Sequence, residues 1–229
     1  MLQGFLPSIL GGAVITVTVA LCSLLIALLL GLLGAAMKLS KSRTARTLAT
    51  IYTTLIRGVP DLVLMLLIYY GGQLAINELA PKFGYTDYID INPFVAGVLT
   101  IGFIFGAYLT ETFRGAMLAI PAGQREAGIA YGMTAKQVFL RITFPQMVRF
   151  ALPSFANNWL VLVKSTALVS VIGLSDMMNR AGMAAGATHE PFTFYMAAAV
   201  IYLAITTVSV LTLKALERRY STGMKAAAL

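Results

Sequence analysis

Long apolar runs alternate with short polar segments along the whole chain. About 20 consecutive apolar residues are enough for an α-helix to cross the hydrocarbon core of a bilayer. The pattern therefore predicts an all-α integral membrane protein, with five transmembrane helices in a single domain that spans residues 1–229. The predicted spans cover residues 9–37, 48–80, 93–120, 150–174 and 192–213.

The composition agrees with a membrane protein. Hydrophobic residues make up 59% of the chain and charged residues 11%, whereas soluble domains carry about 25% charged residues. One cysteine and one histidine exclude an internal disulfide and a metal site built from these residue types. The chain has no phosphate-binding loop of the form Gly-x-x-x-x-Gly-Lys-Ser/Thr and no clear catalytic constellation. We therefore predict neither catalytic residues nor a metal site.

Basic and acidic residues are distributed unequally between the two sets of connections that lie on opposite sides of the membrane. Twelve basic and two acidic residues lie on one side: in the first connection, in the segment of residues 121–145 with its flank (the central segment) and in the carboxyl-terminal tail. The other two connections, together with Glu78 at the end of the second span, hold two basic and five acidic residues. Because positive loops stay in the cytoplasm, we expect a periplasmic amino terminus and a cytoplasmic carboxyl terminus. The net charge of +8 thus reflects topology, and we predict no nucleic-acid partner.

The central segment has the pattern of two short helices and a turn. Residues 122–131 contain helix formers, and Gly132 is placed to end this helix in a left-handed conformation. Thr134 and Gln137 have the spacing of a capping box at the start of a second helix. We expect that helix to stop before Pro145.

The same segment carries a spaced motif. Its fixed positions are Glu126, Ala127, Gly128, Gly132, Ile142, Phe144 and Pro145. This spacing resembles the EAA loop of ABC importer permeases, from which Gly128 and Phe144 depart mildly. The resemblance implies a cytoplasmic coupling helix that docks into a cleft of a separate ATPase subunit, with Glu126, Ala127, Gly128, Gly132, Ile142 and Pro145 as its coupling residues. An ordinary cytoplasmic helical hairpin is the alternative.

A polar stretch, Arg57-Gly-Val-Pro-Asp61, interrupts the second apolar run. Pro60 suits the first turn of a helix and breaks any helix that precedes it. Asp61 then lies in that first turn, where the helix dipole favours a carboxylate. Either Arg57 and Asp61 pair across a kink, or the broken helix lines a cavity on the substrate pathway.

Two other apolar runs contain polar groups. Glu111 and Arg114 lie about one helical turn apart in the third run and form either an internal ion pair or part of the pathway. In the fourth run, Lys164 would neutralise a carboxylate or bind freed carbonyl groups. Asn157 either links helices or lines the pathway.

Further segments extend the resemblance over nearly the whole chain. They are Arg57-Gly-Val-Pro60, Tyr108-Leu-Thr-Glu-Thr-Phe-Arg-Gly-Ala116, Ile120-Pro-Ala-Gly-Gln124 and Lys164-Ser-Thr-Ala-Leu168. They are similar to permeases of the polar amino acid uptake family. The run of residues 52–65, with residues 217–221 at the end, resembles the Q-type permeases of importers for histidine, lysine, arginine and ornithine. Asp61, where the wider family often has an apolar residue, fits this subgroup.

The resemblance implies a type I ABC importer permease fold in the bacterial inner membrane. It implies four kinds of partner: the lipid bilayer, a second permease of the M type, two ATPase subunits and a periplasmic substrate-binding protein. ATP and Mg would be bound by the ATPase subunits, so this chain would hold no cofactor and catalyse no reaction. We expect Asp61 and Glu111 to add negative charge to the path of a cationic amino acid. A self-contained channel or secondary transporter is the alternative, although no internal repeat is evident.

Overall fold

A computed structural model of the chain describes residues 2–85 and 87–220. Every regular element in these two ranges is helical. The helices are α1 (Leu2–Leu39), α2 (Arg43–Gly58), α3 (Asp61–Leu79), α4 (Pro93–Leu118), α5 (Ala122–Ala130), α6 (Ala135–Val138), α7 (Phe144–Ser165), α8 (Met177–Thr188) and α9 (Pro191–Tyr220). Tighter 3₁₀ turns follow α3 and α7, and a π turn, Phe139–Thr143, joins α6 to α7. Lys225, the last basic residue of the tail, lies outside the described residues.

Five helical stretches within the described ranges are long and apolar enough to cross a membrane. This finding confirms the predicted all-α architecture with five spans. The stretches are Gly4–Leu39, Asp61–Phe83, Pro93–Leu118, Ala135–Ile172 and Pro191–Arg219.

Helix α4 lies at the centre of the bundle, where it packs against α1, α2, α3 and α7. Its contact with α1 is very close. A Cβ added at Gly34 would lie 2.2 Å from Oγ1 of Thr110, and one added at Gly102 would lie 2.7 Å from Cβ of Ile26. Small residues let helix backbones approach within a membrane, where packing and hydrogen bonds drive association. The glycines therefore make α1 and α4 a tightly fitted pair.

The second apolar run, predicted as one span over residues 48–80, is divided in the structure. Helix α2 ends at Gly58, and α3 begins at Asp61. Between them Val59 and Pro60 are extended, with ψ angles of 139° and 136°. Proline disfavours the helical conformation of the residue before it, so α2 cannot continue. The second span therefore begins at Asp61, and α2 is a separate helix outside the five spans.

The helix that starts after Thr134 does not stop before Pro145, contrary to the prediction. The helical stretch continues over Ala135–Ile172. In the π turn, the N–H of Phe144 donates to the carbonyl of Phe139, five residues earlier. This wider turn changes the hydrogen-bond register directly ahead of Pro145, which then occupies the first turn of α7, where a proline is tolerated.

The polar stretch before the last span, predicted as a loop, contains helix α8. Its side chains Met177 and Ala181 are fully buried, in one cluster with Ile9 of α1. Asp176 caps the helix, because its Oδ1 accepts a hydrogen bond of 2.9 Å from the backbone N–H of Asn179. With 12 residues, α8 is too short for a span. Charged residues on either side of it give the stretch the sequence pattern of a polar loop, so its apolar face is not apparent from the sequence.

The Asp176 carboxyl group is only 1% exposed. Its Oδ2 is buried without a hydrogen-bond partner among the described residues. Burial raises the pKa of Asp176 to about 6, against the opposing effect of its backbone hydrogen bonds and of the nearby Arg180. The folded protein therefore holds this proton over a pH range in which the unfolded chain has lost it.

We expect folding stability to fall as the pH rises from about 4 to about 6, because ionised Asp176 is penalised by burial only in the folded state. The variant Asp176→Asn keeps the cap acceptor and removes the charge. It should be more stable than the parent at pH 7.5 and similar to it near pH 4.5, as measured by thermal unfolding in detergent. As a control, Asp176→Ala also removes the charge but loses the cap, and it should be about 1 kcal/mol less stable than Asp176→Asn at both pH values. An identical pH profile for the parent and Asp176→Asn would contradict the assignment.

Candidate functional site

Helices α5 and α6, which we call the helix pair, form the turn that the sequence predicted. Helix α5 ends at Ala130, and Gly132 follows in the left-handed region with φ of 78°. Thr134 Oγ1 accepts a hydrogen bond of 3.3 Å from the N–H of Gln137, whose side chain in turn accepts one of 2.9 Å from the N–H of Thr134. Both the left-handed glycine and the capping box are confirmed.

Gly128 is the point at which α5 packs on the rest of the central segment. A Cβ at Gly128 would lie 2.7 Å from Cδ1 of Ile142 and 3.2 Å from Cγ2 of Val138. Two positions of the spaced motif, Gly128 and Ile142, therefore meet in the fold. The neighbouring motif residues Glu126 and Ala127 are exposed. The glycine thus tightens the contact between the two halves of the motif.

The outer surface of the helix pair is apolar to an unusual degree for a segment outside the spans. The exposed fractions are 63% for Ile129, 88% for Tyr131 and 52% for Leu140. The basic residues Arg125 and Lys136 are also exposed. Exposed apolar groups with charged neighbours are typical of a surface that binds another protein.

A polar cavity of about 400 Å³ lies between α2, α4 and α7. A second cavity of about 480 Å³ adjoins it on the side of α1. The two share Arg57, Tyr108 and Glu111 in their walls. The first is also lined by Asn157. Of the predicted pathway residues, the fold therefore brings Arg57, Glu111 and Asn157 together.

Glu111 lies in a three-residue ion-pair cluster. Lys38, at the end of α1, donates to Oε1 of Glu111, and Nε of Arg114 donates to Oε2 at 2.8 Å. The Glu111 side chain is 19% exposed. The cluster joins α1 to α4, and the charge of the carboxylate is balanced by two cations. The ion-pair interpretation of Glu111 and Arg114 is confirmed, with Lys38 as an additional partner.

Arg57 does not pair with Asp61 among the contacts of the described residues. Its guanidinium instead lies over the ring of Tyr108, 5.4 Å from the ring centre. Asp61 is half-buried in the first turn of α3. Neither Asp61 nor Lys164 is among the residues that line the two polar cavities.

Sequence reasoning missed Lys38 and Tyr108 as members of this site. Nδ2 of Asn158 donates to Oγ1 of Thr112 at 2.9 Å and so closes the cavity wall between α7 and α4. Lys38 was assigned to the first connection, because it follows a long apolar run. The parallel order of spans one and three, which places the end of α1 near the end of α4, was the available signal.

The residues that the structure describes contain no group of three His, Cys, Asp or Glu side chains able to hold a metal ion.

Comparison with known proteins identifies close relatives. The chain is 54% identical over 229 residues, all of both chains, to the histidine/lysine/arginine/ornithine transport system permease protein HisQ of Salmonella typhimurium. It is 40% identical over 221 residues to the arginine ABC transporter permease protein ArtQ of Haemophilus influenzae, covering 96% of this chain and 97% of the relative. These similarities confirm the predicted resemblance to Q-type permeases.

Solved structures and a family model lead to the same result. A crystal structure of an amino acid ABC transporter with histidines contains a chain that matches 95% of this one, with a TM-score of 0.81 and 32% identity, over 96% of its own length. The family model described as "Binding-protein-dependent transport system inner membrane component" matches residues 27–222. The chain therefore belongs to the family of inner membrane components of binding-protein-dependent transport systems.

Proposed function

We propose that this chain is the permease subunit of an ATP-driven importer for cationic and polar amino acids: histidine, arginine, lysine and ornithine. It would form the translocation pathway with a second, M-type permease, next to two ATPase subunits and a periplasmic binding protein. The substrates of the named relatives support the substrate class. The observation that carries the transport mechanism is the exposed helix pair, which is joined without a break to a membrane-spanning helix.

The helix pair is proposed as the coupling element. Glu126 and Ala127 lie on its exposed side, and Gly128 packs on Ile142 at its base. Gly132 forms the turn between α5 and α6, and Pro145 lies in the first turn of α7, the helix that enters the membrane. ATP and Mg would be held by the ATPase subunits. A shift of the docked helix pair would then move α7 as one piece, because α6 and α7 form a single helical stretch.

The polar cavities are proposed as part of the substrate pathway. Arg57 has no carboxylate partner within the described ranges, so its planar guanidinium suits the carboxylate of an amino acid. Asn157 and Tyr108 add hydrogen-bonding groups. Glu111 is balanced by two cations, so we assign it and Arg114 a supporting role in the wall. Asp61 has no ion-pair partner in the described part of the chain and remains the candidate for negative charge on the path. Lys164, in the fourth span, is kept as a second candidate residue of the path.

The proposed topology has a periplasmic amino terminus and a cytoplasmic carboxyl terminus. It rests on the twelve basic residues that share one side with the helix pair and the tail. A reporter active only in the cytoplasm should give a signal when fused after Leu229 and none when inserted near Tyr88. The reverse pattern would overturn the topology and the coupling assignment with it.

The variant Gly132→Val tests the coupling role. Left-handed backbone costs an L-residue about 1–2 kcal/mol, so the turn between α5 and α6 should distort while the spans still insert. We expect uptake and substrate-stimulated ATP hydrolysis by the complex to fall strongly. Gly84→Val is the matched control, because Gly84 also has a positive φ, of 88°, but lies after α3. Normal uptake by Gly132→Val, or equal losses in both variants, would contradict the coupling role.

The variants Glu111→Gln and Asp61→Asn distinguish a carboxylate that supports the cavity wall from one that adds charge to the substrate path. Glu111→Gln leaves Lys38 and Arg114 without their carboxylate, which costs at most about 3–5 kcal/mol for a fully buried pair and less at this partly exposed site. We expect lower thermal stability and equal loss of uptake for all substrates. Asp61→Asn should keep stability and reduce uptake of arginine and lysine more than that of neutral histidine. A stable Glu111→Gln variant with selective loss of cationic substrates would reverse the two assignments.

A further inference from the structure

An apolar groove of about 250 Å³ runs along the outside of the bundle, between α1, α2 and α4. It is lined by Leu33 and Met37 of α1, Leu48 and Tyr52 of α2, and Phe103 of α4, among others. Leu33 and Leu48 are more than half exposed, at 58% and 56%. From the first to the last lining residue on α1, residues 30–37, the wall is about 10 Å long.

The groove offers no free polar group to an occupant. Its one polar side chain, Tyr52, donates its hydroxyl to the carbonyl of Phe103 at 2.5 Å. The ring of Tyr52 also lies against that of Phe103, with centroids 4.9 Å apart. The groove therefore favours a hydrocarbon occupant over a peptide, whose backbone would leave hydrogen-bonding groups unsatisfied.

The two helices that wall the groove, α1 and α2, are connected by a basic elbow, residues 40–46. The elbow joins the two walls directly, because α1 ends two residues after Met37 and α2 begins at Arg43. Its exposed cations are Lys41, Arg43 and Arg46. They form no ion pair among the described residues, and the first turn of α2 has no acidic residue.

Lys38 does not belong to this group of free charges, because it is paired with Glu111 on the cavity side. The basic residues at and beside the elbow thus lie in two different environments. One stabilises the interior of the bundle, and three are exposed and have no partner of opposite charge among the described residues.

We propose that the groove and the basic elbow together form a binding site for one anionic phospholipid. An acyl chain lies along the apolar groove, and the phosphate group contacts Lys41, Arg43 and Arg46. The length of the groove is about two-thirds of the hydrocarbon depth of one leaflet, roughly 15 Å. Basic residues beside a membrane helix are attracted to anionic headgroups with about 1 kcal/mol each, so the site selects lipids by charge.

The combination of features favours a lipid over other occupants. A free phosphate would use the cations and leave the apolar groove unexplained. A helix of a partner protein would use the groove and leave three cations uncompensated unless it also carried acidic residues. An anionic lipid matches both parts of the site in a single molecule.

The test is a titration of the purified full-length chain in detergent with fluorescent phosphatidylglycerol, followed by anisotropy, with phosphatidylethanolamine for comparison. We expect phosphatidylglycerol to bind at least about tenfold more tightly, in line with two or more cation contacts. The triple variant Lys41→Gln, Arg43→Gln, Arg46→Gln should lose this preference. The charge-conserving variant Lys41→Arg, Arg43→Lys, Arg46→Lys should keep it.

A matched control removes the same charge elsewhere. The triple variant Arg125→Gln, Lys136→Gln, Arg141→Gln should keep the preference for phosphatidylglycerol, because these residues lie on the central segment and away from the groove. Leu48→Trp, which narrows the groove without changing charge, should weaken binding of both lipids.

Four results would overturn the proposal. The first is an unchanged preference for phosphatidylglycerol after the elbow substitutions, and the second is an equal loss of that preference in the control triple variant. The third is competition by glycerol phosphate alone that is as strong as competition by the intact lipid. The fourth is loss of lipid binding when the chain is assembled with its partner subunits. The third result would indicate an anion site without a lipid. The fourth would indicate that a partner permease covers the groove.

Discussion

The close packing of α1 on α4 is the contact on which the rest of the bundle depends. In hydrocarbon, lipid is as apolar as leucine, so the helices gain little from hydrophobic burial and must fit closely to associate. Gly34 and Gly102 allow that fit, since a methyl group at either position would overlap the facing helix. The same contact carries the pairing of Lys38 with Glu111. One helix pair thus supplies both the core of the fold and a wall of the polar cavity.

The continuity of the helix from α6 into α7 has a mechanical consequence. Pro145 would normally end a helix, but the π turn before it absorbs the change in hydrogen-bond register. The membrane-spanning helix therefore extends directly into the segment that carries the exposed apolar surface. A force on that surface reaches the interior of the membrane through hydrogen-bonded backbone, without a flexible linker between them.

The elbow between α1 and α2 serves two environments. Lys38 is drawn inward by Glu111, whereas Lys41, Arg43 and Arg46 remain at the surface. Because α2 is separated from α3 by the extended residues before Asp61, it packs beside α1 and α4 instead of continuing the second span. Helix α2, set apart from α3 by the break at Pro60, thus forms a wall of both polar cavities and of the apolar groove.

The sequence by itself determined the number of spans, the helix pair and the family. Spans follow from length and apolarity, and turns follow from local groups such as Gly132, Thr134 and Gln137, whose conformations depend only on near neighbours. The sequence failed where distant segments decide the outcome. The buried face of α8, for example, is apparent only beside α1. At Pro145 the reason is local, because the π turn carries the helix past the proline. The second partner of Glu111, Lys38, was decided by the tertiary structure, because it lies 73 residues away along the chain and only the fold brings it near the carboxylate.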